Sequence, residues 1–259
     1  MTTLRAGWVI MLRDLAHWVR QPWTPIFGLL FTIMLLLVFG FLFGGAITVP
    51  GGGDYITFLL PGMMALSMMF GVESTTTAMA NDARKGITDR FRSLPIGSAS
   101  VSLGRVGADM ANSAVELLVL ILGGLVIGWR ISSDPASAAL AVLLLLLLRF
   151  SLLWVGIFVG LSFRGEGTTM AVQVLVWPIG FLSTAIVSAE TMPGWLGTIA
   201  AWNPLSATAT AARELYGNPT GITSGPLADG AVWLATAWPL LITAIFLPLS
   251  ARAYRRLRS

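Results

Sequence analysis

Cysteine is absent and histidine occurs once, at His17. These two absences remove disulfides, thiolate metal sites, cysteine nucleophiles and histidine-rich metal centres. Charge is scarce as well: Asp, Glu, Lys and Arg make up 11% of the 259 residues while 56% are hydrophobic, against roughly 25% charged in a soluble domain. That balance is the signature of a membrane protein. Lysine occurs once, and Lys85 stands between Arg84 and Gly86, so no P-loop can cradle ATP. Neither H-E-x-x-H nor G-x-S-x-G is present, which leaves no catalytic residues and no metal site to assign. The net charge of +4 does not signal nucleic acid, because the cations flank apolar runs and form no single stripe.

What is present is apolar length. Six runs approach or exceed the roughly 20 residues that cross a bilayer core, at about Ile26–Ala46, Ile56–Ala80, Val106–Trp129, Ala136–Phe163, Thr168–Ala189 and Ala231–Ala251. Pro178 is expected to kink the fifth run, and Gly156 and Gly160 to tilt or break the fourth or to admit close helix contact. The fold class is all-α and polytopic, with six transmembrane helices spread over residues 23–259. Ahead of them, residues 1–22 form an interfacial amphipathic helix: Leu4, Trp8, Met11, Leu12, Leu15 and Trp18 share one face, and Arg5, Arg13, Asp14 and His17 the other.

Thirteen of the sixteen Lys and Arg residues lie in segments on one side, namely the N-terminus, 81–105, 164–167 and the tail after Ala251. By the positive-inside bias both termini are cytoplasmic. The longest segment on the outer side, 190–230, is not polar enough for a free loop, and its part 190–218 is expected to be re-entrant. Gly194–Trp202 and Leu205–Tyr216, split by Asn203-Pro204, read as a re-entrant helix pair that carries Trp195, Trp202 and Arg213.

Glu73, Glu116 and Arg149 are ionisable residues inside the spans. At 1.5 Å per residue they lie about 10, 15 and 20 Å from the cytoplasmic boundary, so Arg149 can pair with Glu116 or Glu73. Such a group is either a structural ion pair or part of a substrate or proton path. The run Ser74-Thr75-Thr76-Thr77 can hydrogen-bond across helices in either case. Met63, Met64, Met68 and Met69 read either as core or as an adaptable substrate surface.

The polar island Asn81–Arg105 holds five cations, Arg84, Lys85, Arg90, Arg92 and Arg105, with Ile87 and Phe91 one helical turn apart and Pro95 as a stop. The run from Asp82 through Gly86, Asp89, Arg92, Leu94 and Pro95 to Gly104, Arg105 and Asp109, together with Asn203-Pro204-Leu205 and Arg213, resembles the ABC-2 type permeases, most closely their daunorubicin-resistance group. The resemblance covers essentially the whole chain. It implies a permease subunit that dimerises with a second copy and binds two copies of a separate ABC ATP-binding subunit, where ATP and Mg would reside, no cofactor being bound by this chain. It further implies that Arg84, Gly86, Ile87, Asp89, Arg90, Phe91 and Arg92 form a cytoplasmic coupling helix in a bacterial plasma membrane protein. The expected function is export of an amphiphilic drug-like or lipid-like substrate. Export of a lipid-linked glycan or another lipid, or a scaffold or channel outside the ABC class, remain the alternatives.

Overall fold

In a computed structural model, residues 8, 11–12, 23–84, 98–163 and 166–256 are described. All regular structure among them is helical: α1 (Trp23–Leu37, continued by a π turn Val38–Leu42), α2 (Tyr55–Arg84), α3 (Ser98–Val126), α4 (Pro135–Ser162), α5 (Glu166–Phe181), α6 (Gly194–Ala201), α7 (Pro204–Tyr216) and α8 (Pro226–Arg256). Four of these, α2, α3, α4 and α8, are long and apolar enough to cross a membrane. The other two expected spans are shorter apolar helices, Ile26–Leu42 and Gly167–Phe181.

The helix starts follow from local chemistry. Asp134 caps α4, accepting from the Ser137 amide at 2.9 Å with Pro135 in the first turn, and that bond to a backbone N–H holds its carboxyl below the usual range. Asn203 and Pro204 do the same for α7, and Gly217, at φ 70°, closes it in the left-handed conformation.

The axis of the bundle is α2, which packs on α4, α7, α5, α3 and α1. Phe58, Leu59, Leu60, Met63, Met64 and Met68 on it are completely or almost completely buried, so the methionine group is core and offers no surface to a substrate. The α2–α4 seam is tight because of glycine. A Cβ on Gly160 would stand 2.7 Å from both the Met79 side chain and the Thr76 carbonyl, and one on Gly156 3.1 Å from the Val72 carbonyl. The two glycines therefore serve contact within one chain, and α4 runs unbroken from Pro135 to Ser162. On its other side α4 meets α8, where Ser250 donates to the Trp154 carbonyl at 2.8 Å.

The fifth run departs from expectation. The helix stops at Phe181, three residues past Pro178, and residues 182–188 continue as a buried, non-helical strap before a 3-10 turn at Ala189–Thr191. An apolar run to Ala189 reads as helix from sequence, but here the backbone finds its partners on other elements, as described next.

Candidate functional site

Two buried cations organise the interior. Arg149, mid-way along α4, is 3% exposed. Its Nε donates to Ser113 Oγ at 3.1 Å and its Nη2 to Thr75 Oγ1 at 3.0 Å. The carboxylate nearest to it is Asp109, whose Oδ2 lies 3.8 Å from Nη2 and 3.2 Å from Thr75 Oγ1. Nη1 has no hydrogen-bond partner among the described residues. The guanidinium lies flat against α2 where Gly71 has no side chain: a Cβ there would stand 2.2 Å from Nη1.

The ion pair expected with Glu116 or Glu73 is thus made with Asp109. Spacing explains the substitution. Asp109, Ser113 and Glu116 fall at i, i+4 and i+7 on one face of α3, and the end of that face nearest the polar island is the one that contacts Arg149. Glu116 lies beside Ser67 of α2 and within electrostatic reach of Arg149. Glu73 sits on another face of α2 and accepts a hydrogen bond from Gln173 of α5. Asp109 was legible as part of the polar signature but not as the counter-ion, since it lies close to the charged island and only packing draws it to Arg149.

The second cation is Arg213 on α7, fully buried without a carboxylate partner among the described residues. It donates from Nε to the Phe58 carbonyl at 2.7 Å, and from Nη2 to the carbonyls of Thr184 and Ala185 at 2.9 and 2.8 Å. Its guanidinium also lies 3.6 Å from the Phe58 ring centre. Arg213 is therefore the clamp on strap 182–188, a role that sequence did not disclose.

Neighbouring groups complete the strap's hydrogen bonds. The Asn203 amide donates to the carbonyls of Ile179 and Leu182 at 2.9 and 2.8 Å, while its oxygen accepts from the Leu205 amide. Ser206 Oγ accepts from the Thr184 amide at 2.8 Å, and Tyr55 donates to the Ile186 carbonyl at 3.0 Å. Irregular backbone at membrane depth is tolerated only where protein satisfies it in this way. Gly62 makes room for the strap, since a Cβ there would stand 1.9 Å from the Ala185 carbonyl oxygen.

The helix pair expected over 194–216 is present as α6 and α7, with Trp195 and Trp202 exposed, Pro204 in the first turn of α7 and Arg213 turned inward. Glu190 accepts from the backbone amides of Thr223 and Ser224 and from the Thr223 hydroxyl. The Thr223 amide above all holds its carboxyl below the usual range. An open cleft of about 320 Å³ lies where α7 meets α8, lined by Glu214, Asp229, Trp233 and Thr236.

Of the interfacial residues, Trp8 and Leu12 are helical and exposed; Leu15 and Trp18 lie outside the described residues. Of the coupling residues, Arg84 is the last residue of α2, whereas Gly86, Ile87, Asp89, Arg90, Phe91 and Arg92 lie outside the described residues. At the base of that segment Asp82 and Arg105 join α2 to α3 by a 3.0 Å ion pair. Among the described residues no three His, Asp or Glu side chains converge as a metal site.

Known proteins with this arrangement of sequence decide the family. A family profile described as ABC-2 type transporter matches residues 5–216. The chain belongs to the ABC-2 type transporter family. It is 33% identical over 230 residues to the daunorubicin resistance ABC transporter permease protein DrrB1 of Streptomyces coeruleorubidus, covering 87% of this chain and 77% of that one. It is also 26% identical over 223 residues to the transport permease ycf38 of Cyanophora paradoxa, covering 85% and 77%. A doxorubicin resistance permease, DrrC of Mycobacterium tuberculosis, is 24% identical over 258 residues, covering 94% and 86%. As an ABC-2 permease this chain is a membrane protein of the ABC transporter class, which removes the scaffold and the unrelated channel from the alternatives.

Proposed function

We propose that this chain is the membrane-spanning subunit of an ATP-driven exporter of amphiphilic, drug-like or lipid-like molecules. The observation that carries the reading is the 33% identity to a daunorubicin resistance permease over 87% of the chain. In this reading a separate ABC subunit, present in two copies, hydrolyses ATP, and two permease copies face one another in a bacterial plasma membrane. Both termini and residues 81–105 are cytoplasmic, in line with the thirteen cations on that side.

ATP binding draws the two ATPase subunits together and loads Ile87 and Phe91, which Arg84, Gly86, Asp89, Arg90 and Arg92 flank. The Asp82–Arg105 pair at the base of the segment passes the load to α2 and α3, and the spans rock. A differential affinity of a few kcal/mol between the two states is enough to drive this step. Trp8, Leu12, Leu15 and Trp18 rest the N-terminal helix on the lipid surface.

The test is co-purification with a co-expressed ABC ATP-binding subunit, followed by uptake of a fluorescent amphiphile into inverted vesicles. The wild-type pair should accumulate the dye only with ATP, and Phe91→Asp should lose both the complex and the uptake. A full complex in Phe91→Asp, or uptake indifferent to ATP, overturns the reading.

A further inference from the structure

Away from the ends of the described membrane helices, two polar side chains are exposed: Ser74 on α2 and Gln173 on α5. Elsewhere those helices turn apolar side chains outward, as lipid requires. The two exposed residues flank one acid. Glu73 precedes Ser74, is partly exposed, and accepts a hydrogen bond from the Gln173 amide. It lies more than two helical turns inside the span Tyr55–Asp82, and no Lys or Arg among the described residues pairs with it. A neutral amide orients a carboxylate without balancing its charge. An unbalanced charge at that depth is costly against hydrocarbon, so the face that carries Glu73 does not look onto lipid.

That face is continuous. The helix α2 is buried from Phe58 to Met69 and emerges at Phe70. At 100° per residue Phe70, Glu73, Ser74, Thr77 and Asn81, all partly or fully exposed, share an arc of about 100°. Aromatic rings stand one turn from the Glu73–Gln173 pair: Trp177, four residues after Gln173, lies 4.9 Å from Phe70 and 5.5 Å from Phe31 of α1 between ring centres. Carboxylate and rings together suit one kind of ligand. An organic cation with an apolar body supplies the counter-charge to Glu73 and packs on the rings, whereas an inorganic cation gains nothing from the rings and a neutral amphiphile nothing from the acid.

We propose that this face of α2, with α5 and α1 beside it, binds lipophilic organic cations: Glu73 is the charge-selecting carboxylate, Gln173 orients it, and Phe31, Phe70 and Trp177 receive the apolar body. The proposal gives the exported substrate a charge, and for that role it rests on the export reading. Binding itself needs neither ATP nor the ATP-binding subunit.

The test is equilibrium dialysis of the purified full-length chain in detergent against radiolabelled tetraphenylphosphonium, with tetraphenylborate, an anion of nearly the same size and shape, as the matched probe. Wild type should bind the cation saturably and about tenfold or more tightly than the anion. Glu73→Gln keeps the side-chain shape and a hydrogen bond to Gln173, so it should fold as wild type, yet lose about tenfold in affinity for the cation and most of the preference over the anion. Glu73→Asp should retain the preference. Trp177→Leu should weaken the cation while leaving the order of the two ions, and Glu214→Gln, an acid on α7, should change nothing. Equal binding of the two ions by wild type, or undiminished cation binding in Glu73→Gln, overturns the proposal and leaves the pair as a link between α2 and α5. The wild-type comparison needs no variant to fold. Cation binding that depends on Glu73, without ATP-dependent uptake alongside the ATP-binding subunit, would remove the export reading and keep the site.

Discussion

Arg213 shows how much a single side chain can be asked to hold. Its three hydrogen bonds reach carbonyls on two different segments, α2 and the strap. Arg213→Met strands the Thr184 and Ala185 carbonyls in a dry interior, at about 1–3 kcal/mol for each group left unpaired. We expect a loss of roughly 3 kcal/mol or more, measured as a fall in thermal unfolding temperature in detergent, with Arg213→Lys recovering only part because one ammonium cannot span both segments. Gly71→Ala tests the other cation: with no room beside the guanidinium, the variant should lose about 1–3 kcal/mol by overpacking. Glu190 responds to pH. Its carboxyl is depressed in the folded chain by the Thr223 amide, so its contact with 223–224 is present above the ordinary carboxylate pKa of about 4.3 and is lost as pH falls through the lower folded value. Hydrogen exchange at the Thr223 amide should therefore rise at acid pH, and Glu190→Gln should show weakened protection already at neutral pH.

Among elements, α7 and the strap 182–188 act as one unit joined by Asn203. Asn203→Ala removes a helix cap and two donors to the end of α5, for an expected cost of about 2 kcal/mol. Asn203→Asp keeps the cap but loses both donors, so it should fall between the two in thermal unfolding. Here the limits of sequence are visible in particular residues. Asn203-Pro204 announces a helix start by its own chemistry, and the pair α6 and α7 was legible from it. The end of α5 was not, because Leu182, Ala185 and Ile186 continue the apolar pattern and only the donors of Asn203, Arg213 and Tyr55, distant in sequence, make a non-helical backbone tolerable. The same holds for Asp109: it was readable as part of the polar signature, but its pairing with Arg149 depends on how α3 packs on α4 and on Gly71 leaving room for the guanidinium.

For the whole molecule, the buried axis α2 and the exposed flanks of α3 and α8 divide the protein into an interior that is polar at two depths and a surface that is apolar. Val115, Leu118, Leu122 and Val126 form an exposed stripe on α3, suited to acyl chains. If the orientation read from the cations is right, a cysteine-reactive, membrane-impermeant label should reach a cysteine introduced at Ser259 only after the cell is opened, and one at Ser224 in intact cells; the reverse pattern would invert the topology. The strap has a further consequence, for biogenesis. While the nascent chain ends short of Asn203, the carbonyls of Leu182, Thr184 and Ala185 have none of the donors that later cover them, and lipid offers no substitute. The backbone that ends α5 therefore finds its full set of donors only once α7 has been synthesised, which makes this part of the fold dependent on chain that follows it in the order of translation.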